Sequence, residues 1–478
     1  MTDLREWLTQ VDHIGELKIV RDADPEVDIG PLTEINDRRR GSALLFDEIK
    51  GYEKGYRILT SALINSHRLG IALGVEGAAT AKELMTKLEG RTSEWESEAT
   101  QYHPKEVESG PVLENALVGD KIDMLKFPAP LWNELDGGRY LGTGDIVITQ
   151  DPEDGTVNVG TYRVMVQDSK RLGIYISPSH HGARHLKTYH SQGKPCPVAI
   201  SFGHDPLLLA VGGSALPYGI SEYDYAGSMR KSPIEVIKGP VTGLPIPAAS
   251  EIAIEGFIPP GEYLPEGPFG EYTGYYASGR REAPFVEISA VYHRNDPIVL
   301  GAHNCKSPHD YSFMSCVLKS VMVKDALAKA GVPQVKGIWF HEASAVNFLM
   351  VVAIKQLYPG HPTQAGTVAA QTQVAATGNG RYIIVVDEDI DPTNLEEVVW
   401  ALGTRSDPET SIDILRRTYR NRLDPMLPEG ATDLRGSRAV IDACRPFARL
   451  KEFPKVATAR PEVQERMTKK WAEILPMG

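Results

Sequence analysis

Short apolar segments separated by turn-forming residues fill the centre of the chain, and this spacing most limits the possible fold. The residues 151–155, Asp-Pro-Glu-Asp-Gly, predict a turn and therefore a hairpin between the segments on either side. Many short strands at close intervals predict a barrel-like β domain. The segments predicted as strands are 145–150, 157–167, 173–178, 197–202, 207–211, 252–258 and 285–292.

A mixed pattern of helices and strands comes before this region and predicts an N-terminal α/β domain over residues 1–115. Apolar spacing predicts helices at 4–13 and 81–88 and strands at 16–20 and 42–46. The apolar stretch 70–74 is interpreted as a short turn or the start of a helix. No G-x-G-x-x-G motif follows a strand here, so a Rossmann cofactor site is not predicted.

The barrel-like domain is assigned to residues 116–309, and a helix over 311–330 follows it. Gly331 and Pro333 end this helix, which we interpret as a connection spanning 310–332. Residues 333–478 are assigned to a C-terminal α/β domain. Its predicted elements are strands at 346–352 and 382–386, a helix at 395–402, a long loop from residue 417 and a final helix at 461–474.

Composition excludes several classes of protein. The 478 residues carry a net charge of −12, which argues against nucleic acid or an anionic membrane as the main partner. No apolar run has the length of a membrane span, and the N-terminus lacks the pattern of a secretory signal. The four cysteines are scattered without a C-x-x-C pair, so we expect neither disulfides nor structural zinc, and we expect a cytoplasmic location.

The stretch 265–276 carries a candidate acid–base site. Glu266 and Glu271 flank a Gly-Pro-Phe-Gly sequence that favours a bend, and a bend can bring both carboxylates to one side. Crowded carboxylates that share a cation form a tunable acid–base group, whereas the alternative is an exposed acidic turn. Arg163 is a candidate for the shared cation, because an arginine in a β domain needs anionic partners; the alternative is a surface ion pair.

A second candidate set combines an amide, an imidazole and a carboxylate. Asn158 follows the predicted turn, the adjacent His180 and His181 end a predicted strand, and Glu222 lies in a glycine- and proline-rich loop. Such a mixed set suits Mn²⁺ or Mg²⁺ next to a phosphate better than it suits zinc. Structural or solvated roles are the alternatives for each residue. No G-x-S-x-G, H-E-x-x-H or P-loop motif is present.

Several segments together carry a family resemblance. The string Glu-Gly-Pro-Phe-Gly-Glu-Tyr-Thr-Gly-Tyr-Tyr over 266–276 is the most specific of them. With it, the chain resembles the UbiD family of decarboxylases, in its aromatic and heteroaromatic acid branch, which use prenylated FMN. The other matching segments are 137–144, 155–163, 219–227, 247–251, 387–404, 422–425 and 436–442.

The resemblance implies residue roles. The catalytic Glu–Arg–Glu set of the family falls on Arg163, Glu266 and Glu271, with Glu271 as proton donor and Glu266 tuning the arginine. The metal ligands of the family fall on Asn158, His180 and Glu222, with His181 as the alternative to His180. Further residues implied to bind the cofactor, some of them helping to hold a K⁺ ion, are Gly160, Thr161, Tyr162, Ser179, Ser214 and Pro217.

The resemblance also implies a fold and partners. It implies a central split β-barrel that binds prenylated FMN, a homodimer or larger homo-oligomer formed through the C-terminal α/β domain, and a separate flavin prenyltransferase that supplies the cofactor. The segment with His303, Asn304 and His309 would border the substrate, and its polarity favours a hydroxybenzoate-, pyrrole- or indole-carboxylate-like acid. Arg381 is a candidate for the cofactor phosphate. An ordinary FMN oxidoreductase and a non-catalytic flavin- or metal-binding partner protein are the alternatives.

Overall fold

The computed structural model describes residues 3–178, 180–214, 216–378, 380–428 and 430–474. Its N-terminal region has the predicted α/β character, with both predicted helices at the predicted bounds. The stretch 70–74 is the end of a helix and not its start, since Gly74 closes that helix with a φ of +70°. The elements are α1 (Leu4–His13), β1 (Leu17–Arg21), α2 (Ile29–Arg38), β2 (Ala43–Asp47), β3 (Arg57–Thr60), α3 (Ser66–Leu73), α4 (Ala81–Leu88), α5 (Arg91–Glu98) and β4 (Lys105–Glu106).

The central region contains the predicted barrel-like sheet, which is curled into a half-barrel. Its strand order is β6-β9-β10-β17-β14-β11-β7-β8, and β5 also pairs with β17. The elements are β5 (Asn115–Val118), β6 (Tyr140–Gly142), β7 (Ile146–Gln150), β8 (Val157–Gly160), β9 (Arg163–Val166), β10 (Arg171–Tyr175), α6 (His181–Ser191), β11 (Cys196–Phe202), α7 (Pro206–Gly212), α8 (Glu222–Arg230), β12 (Glu235–Lys238), β13 (Pro245–Pro247), β14 (Ile252–Ile258), β15 (Leu264–Glu266), β16 (Arg281–Ala283), β17 (Phe285–His293) and β18 (Ile298–Leu300).

Two strand predictions in this region are wrong. The apolar run 207–211 is the helix α7, because the Asp205 side chain caps it and Pro206 occupies its first turn. A short apolar run cannot by itself distinguish a buried helix from a buried strand. The predicted strand 157–167 is two strands: β8 pairs with β7 as the predicted hairpin, but β9 pairs with β6 and β10.

The C-terminal region begins with the predicted connecting helix and forms an α/β layer. Its sheet has the order β19-β20-β21-β23-β22. The tail predicted as a loop from residue 417 instead carries the end of β22 and all of β23, which pair antiparallel. The elements are α9 (Asp310–Lys329), β19 (Val335–Phe340), β20 (Leu349–Ile354), α10 (His361–Gln371), α11 (Gln373–Thr377), β21 (Tyr382–Asp387), α12 (Leu395–Arg405), β22 (Ile412–Tyr419), β23 (Arg435–Ala443) and α13 (Pro461–Lys470).

Helix α9 joins the regions through a shared core. Side chains such as Phe313, Val317 and Leu327 on α9 belong to one apolar cluster with Leu69 of α3 and Val352 of β20. The sheet β1-β2-β3-β18 adds a second connection, since β18 comes from the end of the central region. Within the described ranges, no helix combines the length and the apolarity that crossing a bilayer requires.

Candidate active site

A cavity of about 300 Å³ lies where the central sheet, α9 and the C-terminal region meet. Residues of β8, β9 and α8 line one part of it, and the N-terminal half of α9 lines another. Further lining comes from the C-terminal region, at residues 347, 373, 374, 377, 378, 421 and 423. The predicted site residues that line it are Asn158, Gly160, Thr161, Tyr162, Arg163, His180, Ser214, Glu222, Glu271 and Asn304.

Arg163 joins the two predicted glutamates in a buried cluster. Its Nε and Nη2 donate to Glu266 Oε1 and Oε2 at 2.7 and 2.8 Å, and its Nη1 donates to Glu271 Oε1. The exposed fractions are 8% for Arg163, 0% for Glu266 and 5% for Glu271, which excludes both the acidic turn and the surface ion pair. Each of these three charges would be costly to bury alone, so each depends on the presence of the other two.

The chain bends twice to form this cluster. The break between β8 and β9 at Thr161 and Tyr162 lets both Asn158 and Arg163 reach the cavity, although they are five residues apart. Glu266 ends β15, and the loop after it passes through Gly267 at a φ of +81° before Glu271. A Cβ at Gly270 would lie 2.4 Å from the Asn133 side-chain amide nitrogen, so a larger residue there would displace the Asn133 side chain.

Burial shifts the pKa values of Glu271 and Arg163. Burial raises the pKa of Glu271 above its ordinary value, and Arg163 opposes part of that rise. Burial also disfavours the charge of Arg163, but Glu271 and Glu266 outweigh it, and the pKa of Arg163 is raised. Tyr140 donates its hydroxyl to Glu266 Oε1 at 2.9 Å, a further hydrogen bond to that carboxylate. Glu271 therefore holds a proton to higher pH than an exposed glutamate does.

Aromatic rings enclose the arginine, and the sequence analysis did not find them. The Arg163 guanidinium lies 4.6 Å from the centre of the Tyr175 ring and 5.1 Å from that of Phe269. Cation–π contact of this kind fixes the plane of a guanidinium in a site with little water. Phe269 lies between the two glutamates in sequence, and that position was the one available signal.

The predicted metal ligands line one wall of the same cavity. The Asn158 amide nitrogen donates to the Tyr162 hydroxyl at 3.3 Å, which leaves the amide oxygen available to a ligand. Glu222 accepts a hydrogen bond from the Val159 backbone N–H at 2.7 Å, and burial raises its pKa to about 7. His180 lines the cavity with its ring 5.5 Å from that of Tyr162, and its surface is exposed. His181 also lines the cavity, so both histidines remain candidates.

These side chains fit a divalent cation. In the described part of the chain, no cluster of three His, Cys, Asp or Glu side chains suits a metal, so a metal at this wall would need the Asn158 oxygen as a third ligand. Glu222 is a buried carboxylate for which no Lys or Arg partner is found among the described residues. A cation would stabilise its ionised form, and amide, imidazole and carboxylate together suit Mn²⁺ or Mg²⁺.

Some predicted residues lie away from the cavity surface. Ser179 lies outside the described residues, and Pro217 is half-buried near the cavity, where its carbonyl accepts from the Ile220 N–H. His303 Nε2 lies 2.9 Å from Asn133 Oδ1. His309 precedes α9, and its Nε2 lies 3.3 Å from the Tyr272 carbonyl oxygen. Of the predicted substrate residues, Asn304 alone is among the described side chains that line the cavity.

The charge of Arg381 is already balanced by a carboxylate. Its Nη2 donates to both carboxylate oxygens of Asp424 at 2.6 and 2.7 Å, and its guanidinium lies 4.5 Å from the Phe348 ring centre. The carboxylate balances the charge of the guanidinium, and Arg381 is not among the described residues that line the cavity. This geometry weakens the prediction that Arg381 binds the cofactor phosphate.

Three family models together match most of the chain. They describe the N-terminal, Rift-related and C-terminal domains of 3-octaprenyl-4-hydroxybenzoate carboxy-lyase, and they match residues 8–88, 105–307 and 312–443. A phenolic acid decarboxylase of Bacillus subtilis (strain 168) is 32% identical over 462 residues, 93% of this chain and 93% of the relative.

Solved structures match the complete fold. The vanillic acid decarboxylase ShVdcCD of Sedimentibacter hydroxybenzoicus in closed form has a TM-score of 0.84 and 28% identity, over 100% of this chain and 99% of that chain. An evolved dimeric form of the UbiD-class enzyme HmfF from Pelotomaculum thermopropionicum, in complex with prFMN, has a TM-score of 0.81 and 26% identity, over 97% and 98%. With the three matching domains and the buried Glu–Arg–Glu cluster, these similarities identify the chain as a member of the UbiD family of carboxy-lyases.

Proposed function

We propose that this carboxy-lyase reversibly and non-oxidatively decarboxylates an aromatic or heteroaromatic carboxylic acid with the help of prenylated FMN. The observation that carries the proposal is the buried contact of Arg163 with both Glu266 and Glu271. The B. subtilis relative is named for phenolic acids and the Sedimentibacter structure for vanillic acid, which supports an aromatic substrate. The HmfF structure with prFMN supports the cofactor.

Glu271 delivers the proton in this proposal. The bond between the ring carbon and the carboxylate breaks, CO₂ leaves, and a C–H bond forms with the proton from Glu271. A raised pKa keeps this carboxyl protonated at higher pH than an exposed glutamate, and Arg163 then stabilises the carboxylate that remains. In the reverse direction, the Glu271 carboxylate takes the proton from the ring carbon.

Arg163 and Glu266 position the reacting groups. The two-point contact with Glu266 and the flanking rings of Tyr175 and Phe269 fix the guanidinium, which in turn orients Glu271 and the incoming substrate carboxylate. Asn304 adds a polar group to the cavity wall, which favours a hydroxybenzoate-, pyrrole- or indole-carboxylate-like ring over an apolar one.

The same cavity would hold the cofactor. Asn158, Glu222 and His180, with His181 as the alternative, would bind Mn²⁺ or Mg²⁺ against the cofactor phosphate. The backbone and side chains of Gly160, Thr161, Tyr162 and Ser214 would follow the flavin and contribute to a K⁺ site. Prenylated FMN, when bound, supplies the electron sink that decarboxylation of an aromatic ring requires.

We further propose that a separate flavin prenyltransferase supplies this cofactor and that the protein works in the cytoplasm as a homodimer or larger homo-oligomer. The four cysteines are free and buried, as in proteins of a reducing compartment. The HmfF structure is that of an evolved dimeric form, which supports an assembly of identical chains.

Co-expression with a flavin prenyltransferase tests the proposal. The purified protein should carry a flavin with the mass of the prenylated form and should release CO₂ from a panel of aromatic acids, with hydroxybenzoates, pyrrole carboxylates and indole carboxylates included. Oxidation of NADH or NADPH without CO₂ release would favour the FMN oxidoreductase alternative instead. Bound flavin without either activity would favour the non-catalytic alternative.

A further inference from the structure

Lys319 is a buried cation on the cavity wall that the proposed reaction does not use. It lies in α9 and lines the same cavity as Asn158 and Glu222, yet only 8% of its surface is exposed. Its Nζ donates to the Asn347 amide oxygen at 2.5 Å. A lysine with this degree of burial normally has a carboxylate beside it, because an ammonium group is costly to remove from water.

Among the described residues, no carboxylate lies within ion-pair distance of Lys319. The other lysines of α9 are paired at the surface: Lys324 with Glu89 at 2.8 Å and Lys329 with Glu96 at 2.6 Å. The Asn347 oxygen satisfies one donor of the Lys319 ammonium but leaves its charge uncompensated. The Lys319 ammonium therefore still needs a negative charge nearby. A ligand bound in the cavity can provide it.

The face of α9 that carries Lys319 also carries the hydroxyl side chains of Tyr311 and Ser315. Residues 311, 315 and 319 follow one another at intervals of four along α9, so their side chains share a face of the helix. The Ser315 hydroxyl on that face is buried and has no hydrogen-bond partner in the described part of the chain. At Gly378, a Cβ would lie 3.2 Å from Asn347 Oδ1. Glycine at this position therefore lets the backbone pack close to the Asn347 amide, which accepts the hydrogen bond from Lys319.

We propose that Lys319 binds an anionic oxygen group of the cavity's ligand, and that this group is the phosphate of the flavin mononucleotide; this inference rests on the flavin dependence proposed above. Lysine binds phosphate as a point charge. Arg381, the basic residue that the sequence suggested for this task, is occupied by Asp424. The carboxylate of an aromatic acid has the same oxyanion chemistry and is the second source that the experiment must distinguish.

Flavin binding to the full-length protein, purified without flavin, tests the inference. FMN and riboflavin differ only in the phosphate, and quenching of their fluorescence reports binding without turnover. Loss of one charge-assisted hydrogen bond in Lys319→Met should weaken FMN binding by about tenfold to 100-fold and leave riboflavin binding unchanged. Lys319→Gln retains a hydrogen-bonding group without the charge and should weaken FMN binding similarly, and Lys319→Arg should retain most of the affinity.

Lys329→Gln is the matched control, because it removes a charge from the same helix at the surface and should leave both flavins unaffected. Unchanged FMN affinity in both charge-removing variants, together with an unchanged KM for 4-hydroxybenzoate, would overturn the inference. Unchanged FMN affinity with a raised KM would assign the oxyanion to the substrate carboxylate. If the unaltered protein binds neither FMN nor prenylated FMN, the proposed function and this inference both fail.

Discussion

The guanidinium of Arg163 contacts the carboxylate of Glu266 at two points, through Nε at 2.7 Å and Nη2 at 2.8 Å, in a region almost without solvent. The remaining Nη1 donates to Glu271. Glu266 therefore uses both oxygens on the arginine, while Glu271 uses one and has its other oxygen available for chemistry. This asymmetry supports the different tasks proposed for two residues that look equivalent in the sequence.

Glu271→Gln should abolish most activity. A glutamine can occupy the same volume and contact Arg163, but it cannot transfer a proton, so turnover should fall by about 10²- to 10⁴-fold. Glu266→Gln should cost less, because it weakens the two-point contact without removing the proton donor. The measurement is CO₂ release together with deuterium incorporation from D₂O, in preparations matched for flavin content. Equal losses in the two variants would contradict the separation of roles.

Arg163→Lys should preserve a positive charge and still lose about 100-fold in turnover. A lysine ammonium cannot make the planar two-point contact with Glu266 while also reaching Glu271, and small displacements of reacting groups cost about this much. Arg281→Lys is the control, since Arg281 Nε lies 3.9 Å from Glu266 Oε2 and the side chain is partly exposed. Full activity in Arg163→Lys would show that charge, and not orientation, is what the cluster requires.

The sequence predicted the charged residues of the Glu266–Arg163–Glu271 cluster better than it predicted the side chains around them. Residue types and a bend-forming Gly-Pro-Phe-Gly spacer suggested Glu266, Glu271 and Arg163 as one of two interpretations, and the family resemblance implied their roles. The rings of Tyr175 and Phe269 were missed, since an aromatic residue in a strand usually serves the core. The pairing of Lys319 with Asn347 joins residues far apart in the chain, which no local pattern reveals.

The contrast between local sequence patterns and contacts between distant residues also explains the errors in the predicted fold. Long periodic segments such as 4–13 and 81–88 were predicted at the correct bounds, because their apolar spacing repeats over more than two turns. The run 207–211 is apolar at every position and carries no periodicity, so the cap from Asp205 decides that it is helical. The break of the strand at Thr161 was not predicted, because tertiary pairing with β6 and β10 fixes it.

The choice between His180 and His181 can be decided by metal content. His180→Gln should reduce bound Mn²⁺ by tenfold or more at limiting metal, because replacing one of three ligands leaves an incomplete set. His181→Gln should retain the metal, and Glu222→Gln should lose it together with FMN affinity. Elemental analysis of the purified variants measures this directly. Metal loss in His181→Gln alone would exchange the roles of the two histidines.

Asn304→Ala should change substrate preference and not the chemical step. Asn304 lines the cavity through a polar side chain, so its removal should raise the KM for 4-hydroxybenzoate by about tenfold, the value of one ordinary hydrogen bond, with a smaller change for benzoate. His303→Gln is the comparison, because His303 contacts Asn133 and lies away from the described lining of the cavity. A uniform loss of kcat for both acids in Asn304→Ala would instead indicate damage to the loop.

Asp136 should make the stability of the protein depend on pH through the loop that carries Glu271. Its Oδ1 accepts the Gly270 backbone N–H at 2.8 Å, and burial raises its pKa from 3.8 to about 6. Between these values the unfolded chain loses the proton while the folded chain retains it, so this group's contribution to stability falls as pH rises from about 4 to about 6. The full effect is at most ~3 kcal/mol, and it is constant above that range.

Asp136→Asn should remove this dependence. The difference in Tm between the unaltered protein and Asp136→Asn should therefore shift by several degrees in favour of the variant between pH 4 and pH 6, and then remain level. Glu134→Gln, at an exposed neighbouring position, is the control and should give a difference that does not change with pH. A difference in the opposite direction would mean that Asp136 is ionised and stabilised in the folded state, with the Gly270 hydrogen bond stronger than the cost of burial.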